Sequence, residues 1–295
     1  MLYRYLLTKI QKKKYNLLNN NNFLKTILKH IKNILTKYLY MRLTIENKPK
    51  QEMFVALFQL LKNWSSIIIM HFETNRLFIQ SMDKSHICLA DIEIKNTWFT
   101  EYNCLTDSKL SVDSNNFAIL MNYALKHDSI EIKYDDQDKL YINFLNGAEK
   151  KMAFDNFFEL NLVDVEETCL HIPSVDYDVE FTIETKKFVD VLGQLNVFGS
   201  NLNIKCNENA LELYSSGDST KLKVNIPIDD LNEYAISEGE EMNISYSLTH
   251  ICKMCTSLKL CATVDVSLSS EYPMSLKYNL GEDSKVIFYI APKIE

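Results

Sequence analysis

The feature that most constrains this 295-residue chain is that it repeats itself. Phe54, Val55, Leu57, Phe58 and Leu61 have the spacing of Phe188, Val189, Val191, Leu192 and Leu195, 134 positions further on. The same offset carries Ile68, Met70 and Phe72 onto Leu202, Ile204 and Cys206, and Leu77, Ile79 and Ser81 onto Leu211, Leu213 and Ser215. It carries Ala90, Ile92 and Ile94 onto Val224, Ile226 and Ile228, Ile130 and Ile132 onto Val264 and Val266, and Gly147 onto Gly281. Few residues are identical. One matching segment is what chance gives among common apolar residues; a run of them marks two copies of one structural unit.

Each copy reads as helix, strands, helix, strands. Phe54/Leu57/Phe58/Leu61 and Phe188/Val191/Leu192/Leu195 are apolar at i, i+3, i+4 and i+7, which predicts an amphipathic helix in each half. Second helices are expected from about Asp113 and Ser247, both good N-caps and again 134 apart. Phe117, Leu120, Met121, Ala124 and Leu125 form one stripe, and Leu248, Ile251, Cys252, Cys255 and Leu258 the other. Between them lie period-two strands joined by polar turns such as Glu73-Thr74-Asn75 and Asn207-Glu208-Asn209. The expected fold is therefore α+β: two similar domains, 42–160 and 175–295, each with antiparallel sheets and two helices, and a connector over 161–174.

Charge divides the chain differently. Residues 1–41 hold nine Lys or Arg and no Asp or Glu, so the formal net charge of −7 combines a tail of +9 with a body of −16. The tail also carries a helical stripe from Phe23 to Tyr38. It reads as a dispensable or disordered extension; DNA binding, a membrane-surface contact and an organelle presequence are the alternatives. Seven cysteines at irregular spacing indicate reduced thiols. No apolar run is long enough to span a bilayer.

Signatures of chemistry fail one by one. Six glycines leave no phosphate-binding loop. Cys252 and Cys255 spell C-x-x-C, but no second pair stands at zinc spacing and both lie on a predicted apolar stripe. His86 follows Asp83 and Lys84 without a nucleophile, and Asp135-Asp136 reads as a solvated turn. No catalytic, metal or cofactor site is expected, and the chain reads as a non-enzyme.

Three segments resemble the proliferating cell nuclear antigen family of eukaryotic and archaeal DNA sliding clamps. Leu77-Phe78-Ile79-Gln80-Ser81-Met82-Asp83-Lys84-Ser85-His86-Ile87-Cys88-Leu89 is similar to the family's most characteristic stretch. Leu162-Val163-Asp164-Val165-Glu166-Glu167, continuing to Leu170-His171-Ile172-Pro173, looks like its interdomain connector. Tyr289-Ile290-Ala291-Pro292-Lys293-Ile294-Glu295 is nearly its terminal signature, and Ser215-Ser216-Gly217-Asp218 is a weaker fourth match. The resemblance covers Met41 to Glu295 and agrees with the repeat.

The resemblance implies a head-to-tail homotrimeric ring that encircles double-stranded DNA and acts as a processivity factor in replication and repair, in the nucleus or at a viral replication site. Strands near Met152–Phe158 and Thr220–Ile226 would pair between subunits. The implied DNA contacts are Lys62, Lys126, Lys186, Lys187, His250 and Lys253, with Gln59, Asn122 and Gln194 beside them; Val55, Ile119 and Gly193 stand where the family generally has Lys or Arg. The implied partners are DNA polymerase, a clamp loader and proteins carrying a clamp-interacting peptide. That peptide would enter a groove formed by Met82, His86, Ile87, Leu89, Leu170, Ile172, Pro273, Tyr289, Pro292 and Ile294. Two rivals stay open on the residues alone: a peptide-binding scaffold that never encircles DNA, and a monomeric or dimeric processivity factor.

Overall fold

The computed structural model describes residues 41–135, 137–147, 154–166, 168–255 and 259–293. Residues 1–40 of the basic tail, Asp136, Leu258 and Ile294 lie outside them. The first half runs β1 (Met41–Ile45), α1 (Lys48–Leu61), β2 (Ile67–Phe72), β3 (Arg76–Met82), β4 (Cys88–Lys95), β5 (Glu101–Cys104), β6 (Ser108–Asp113), α2 (Ser114–Ala124), β7 (Ser129–Tyr134), β8 (Lys139–Leu145) and β9 (Asn156–Asn161). The second runs β10 (Val179–Glu184), α3 (Thr185–Phe198), β11 (Asn201–Asn207), β12 (Ala210–Ser216), β13 (Lys221–Ile226), β14 (Glu233–Ile236), β15 (Met242–Ser247), α4 (Leu248–Met254), β16 (Thr263–Leu268), β17 (Met274–Gly281) and β18 (Ser284–Ile290).

The strands form three antiparallel sheets. Their orders are β5-β1-β7-β8-β9, β14-β10-β16-β17-β18-β4-β3-β2-β6 and β13-β12-β11-β15. The nine-stranded sheet joins the halves: β18 pairs with β4, setting Phe288 opposite Ala90 and Tyr289 opposite Leu89. Trp64 closes the same seam from within, its ring 5.3 Å from Phe288 and its Nε1 donating to Ser81 O at 3.1 Å. Trp98 Nε1 donates to Leu280 O at 3.1 Å, satisfying a buried donor across the two halves.

The helices form because their apolar stripes have sheets to cover. Phe54, Phe58 and Phe117 are buried and meet edge-on, with centroids 4.8 Å and 4.6 Å apart. Asp113 caps α2, accepting from Asn116 N at 2.7 Å. Ser247 occupies the same position before α4 but makes no capping bond; its hydroxyl is bonded to His250 Nδ1 at 2.7 Å. Cys255 is buried and Cys252 half-buried on the inner side of α4, so the C-x-x-C pattern is packing. The turns behave as read: Glu73 N donates to Arg76 O at 2.9 Å, and Asn207 Oδ1 accepts from Asn209 N and Ala210 N at 3.0 Å.

The repeat is slightly ragged. β6 and β15, and β7 and β16, keep the 134 offset at both ends. The ends of the halves do not. Ile142 faces Phe158 in the β8–β9 pair, and Leu276, its repeat mate, faces Phe288 in the β17–β18 pair. Phe158 and Phe288 are 130 apart, so the first half carries four extra residues between these strands. That insertion puts β9 at Asn156–Asn161, later than the strand expected at Met152–Phe158. β13 falls within the expected span, at Lys221–Ile226.

Candidate peptide groove and ring surfaces

The β3–β4 turn is built around one carboxylate. Asp83 Oδ1 accepts from Ile87 N at 2.9 Å and Cys88 N at 2.8 Å, while Oδ2 accepts from Ser85 N at 3.1 Å and from the Ser85 hydroxyl. Burial alone would raise its pKa; those donors outweigh it and hold the carboxyl below its ordinary value. The turn places His86 at φ 57°, a left-handed conformation uncommon for a residue with a side chain. It thereby presents Ile87 beside the sheet.

Residues 162–178 carry no helix or strand among those described, and they cross the sheet in front of this turn. Gln80 fixes them: Leu170 N donates to Gln80 Oε1 at 2.6 Å, and Gln80 Nε2 donates to Leu170 O at 3.1 Å. Both backbone groups of one loop residue are thus tied to a side chain of β3. After β18, Ala291 N donates to Ile87 O at 3.1 Å and Lys293 N to Ser245 O at 2.8 Å. Between connector, turn and terminal segment lies a groove of about 1090 Å³.

Met82, His86, Ile87, Leu89, Leu170, Ile172, Pro273 and Tyr289 line that groove. Pro292 is half-buried and is not part of the lining; Ile294 lies outside the described residues. The sequence reading missed Phe78, Tyr177, Tyr272 and Ile287. Phe78 and Gln80 share the outward parity of Met82 in β3, and Ile287 that of Tyr289 in β18, so period two contained the signal. Burial pushes the Tyr289 phenol up to about 12, helped by Asp91 and Tyr177. A neutral phenol therefore borders the groove.

Two family models match this chain: proliferating cell nuclear antigen, N-terminal domain, over residues 45–168, and its C-terminal domain over 171–293. The chain belongs to the proliferating cell nuclear antigen family. Similar proteins include the "DNA polymerase sliding clamp" of Nitrosopumilus maritimus, 28% identical over 217 residues (73% of this chain, 84% of the relative). The "proliferating cell nuclear antigen" of Chaetomium thermophilum is 27% identical over 222 residues (73% and 85%). "Proliferating cell nuclear antigen 2" of Plasmodium falciparum is 24% identical over 254 residues (82% and 96%).

As a clamp-family chain it has two surfaces to account for besides the groove. Lys186, Lys187 and Lys253 on the helices, and Lys62 and Lys126 in the turns that end α1 and α2, are exposed, and Lys187 lies 3.8 Å from Glu184. His250 differs from the other DNA-contact candidates. It is only half-exposed, with Nε2 3.1 Å from Ser85 Oγ and 3.6 Å from Asp83 Oδ2, so it ties α4 to the β3–β4 turn. Gln59 Nε2 donates to Ala118 O at 2.6 Å and Asn122 Oδ1 at 2.8 Å, bridging α1 and α2. Val55 is buried, whereas Ile119 and Gly193 face solvent.

The other surface is a pair of sheet edges. β9 and β13 each end a sheet and have no neighbour on their outer side among the described residues. Apolar side chains are exposed next to both: Phe154 at 77% and Phe157 at 61% near β9, Val197 at 77% at the end of α3, which packs on β13. Such edges template pairing with another chain.

Proposed function

We propose that three copies of this chain close head-to-tail into a ring around duplex DNA and that each copy's groove tethers DNA polymerase and other replication or repair proteins. Its role is that of a scaffold without chemistry of its own, acting in the nucleus or wherever the replicated DNA lies. The working body divides into domains 42–160 and 175–295 with the connector 161–174 between them; Met41, grouped with the tail by sequence, is the first residue of β1 and belongs to the body, and residues 1–40 are an extension preceding it.

One observation carries the reading. Inside the chain, the last strand of the second half, β18, pairs with the fourth strand of the first half, β4. The repeat equivalents of these two strands are β9 and β13, and each of these ends its sheet. Joining β9 of one copy to β13 of the next reproduces the internal seam and leaves neither edge open. A closed ring cannot leave duplex DNA sideways, so weak phosphate contacts suffice. Lys186 and Lys187 support that role. They occupy the first turn of α3, where a cation opposes the helix dipole and so gains nothing for the helix itself.

Sedimentation of the full chain decides the assembly: a species of three monomer masses is expected, and a strict monomer at micromolar concentration excludes a ring. Topology decides DNA binding. Loaded protein should stay on circular duplex and run off linear duplex with free ends; equal retention on both would mean surface binding.

A further inference from the structure

Six of the seven cysteines are covered to some degree, and one is not. Cys88, Cys104, Cys206 and Cys255 are buried and Cys252 and Cys261 half-buried, whereas Cys169 is exposed on the connector. Burial pushes Cys104 and Cys206 up to about 11 and Cys88 and Cys255 up to about 12. Those thiols stay protonated and out of reach.

Cys169 also has a base beside it. His71 of β2 holds Nε2 3.4 Å from Cys169 Sγ. Its imidazole stands opposite Lys109 of β6 in the strand register and 5.9 Å from the Phe78 ring. Burial lowers its pKa first; Lys109 and Arg76 add to that, and Glu73 opposes. His71 is therefore neutral at cellular pH and can take a proton. Chain geometry fixes the pair, because the next residue, Leu170, is held at both backbone groups by Gln80.

A second, smaller cavity of about 190 Å³ opens at this pair, lined by His71, Thr168 and Cys169. It shares Gln80, Met82, His86, Leu89 and Leu170 with the peptide groove. A group attached to Cys169 and seated in this cavity would lie against the groove's own walls.

We propose that Cys169 and His71 form a thiol-exchange site at which a low-molecular-weight disulfide caps Cys169, and that the cap shuts the groove; the second half of this rests on the peptide-groove reading above. The Cys169 proton passes to His71 Nε2. The thiolate attacks one sulfur of R–S–S–R: a bond forms between Cys169 Sγ and that sulfur, the original S–S bond breaks, and the other half leaves as R–S⁻. The leaving thiolate takes the proton back from His71. The disulfide is the only oxidant consumed, and a free thiol reverses the step by the same route.

The test uses the full chain and oxidised glutathione, with intact mass, peptide mapping and calorimetry against a Gln-x-x-aliphatic-x-x-aromatic-aromatic peptide. One glutathionyl group should appear per chain, on Cys169, and be removed by dithiothreitol. Capped protein should bind the peptide at least tenfold more weakly than uncapped protein. His71→Gln should slow capping about tenfold near neutral pH, and its rate should converge with the parent's at alkaline pH, where no base is needed. A merely structural histidine would not produce that convergence. Cys169→Ser should remain uncapped and bind peptide in either medium. Capping of another cysteine, a rate indifferent to His71, or undiminished peptide affinity after capping would overturn the proposal. If uncapped protein also fails to bind, the groove reading falls and takes the occlusion with it, while the mapping and rate arms still decide the exchange chemistry.

Discussion

Phe288 of β18 stands opposite Ala90 of β4, and the proposed ring takes this contact between the two halves as the template for how one copy meets the next. Val224 is the repeat mate of Ala90, and Phe158 that of Phe288. The template therefore sets Phe158 of one copy opposite Val224 of its neighbour, Leu160 opposite Leu222, and Glu159 opposite Lys223. Parity agrees: Phe158, Leu160, Leu222 and Val224 are half-buried, and Glu159 and Lys223 are exposed. Glu159→Lys or Lys223→Glu alone places like charges across the seam and should reduce the trimer in sedimentation. The double exchange should recover most of it. Trimers of undiminished stability in both single variants would exclude this register. Each residue also has an ion pair within its own chain, Lys139–Glu159 at 2.7 Å and Lys223–Glu212 at 2.5 Å, so recovery by the double variant is the decisive arm.

The connector is held at Leu170 by one side chain. Replacing Gln80 with Leu keeps the size but removes both bonds to the backbone, and leaves Leu170 N and O to water. Hydrogen exchange across residues 168–175 should rise, and client-peptide affinity should fall about tenfold through a larger ordering cost on binding. Thermal stability should fall modestly at neutral pH: the strand ladder is untouched, but Asp91 Oδ2 loses its bond from Gln80 Nε2 at 3.0 Å. Unchanged exchange in that segment would show that the connector is fixed by other contacts.

Asp83 makes the β3–β4 turn sensitive to acid. Its folded pKa lies below the unfolded carboxylate value of about 3.9. Its contribution is therefore fully present above that value and is lost as the pH falls through the folded pKa. Asp83→Asn should lower stability at neutral pH and flatten the acid limb of the melting profile below about pH 4. Parent and variant profiles that remain parallel down to pH 2 would contradict it. The same variant should loosen His86, whose left-handed backbone lies between Ser85 and Ile87, both bonded to the Asp83 carboxylate.

Most of the body was legible because apolar parity survives divergence. The α1 and α3 stripes, the Asp113 cap and the strands keeping the 134 offset all follow from side-chain period, which burial imposes locally. The late start of β9 was not legible, since parity carries no information about the length of an inserted loop. His250 was read as a DNA contact from its place on the helix; its partners Ser85 and Asp83 come from a turn more than 160 residues away. The groove was legible only through resemblance, and Phe78 and Ile287 were missed although strand parity pointed to them.

His250 and the lysines can be separated by experiment. Lys62→Glu or Lys253→Glu should shorten retention on circular DNA and make its loss with salt shallower, since fewer counterions are released on binding, without change in peptide affinity. His250→Ala should do the reverse: it frees the turn carrying Ile87 and weakens the peptide several-fold while DNA retention holds. A His250→Ala variant that loses DNA retention and keeps peptide affinity would return the residue to the DNA face.

The groove itself is tested where two distant segments meet. Ile172 belongs to a connector with no counterpart in the repeat, so packing within either half does not account for its apolar side chain. Tyr289 comes from the last strand, opposite Leu89, with its phenol kept neutral by burial. Apolar anchors in such pockets carry most of a peptide's binding energy, and truncation at a hot spot costs about 2 kcal/mol or more, roughly a thirtyfold loss of affinity. Ile172→Ala and Tyr289→Ala should each weaken a Gln-x-x-aliphatic-x-x-aromatic-aromatic peptide by that amount in calorimetry. Neither residue lies on β9 or β13, so trimer mass should persist in both. Ile172→Ala should also leave the melting temperature in place, since that side chain is only half-buried on a loop. Full affinity in both variants, with the ring intact, would mean that clients dock on another surface.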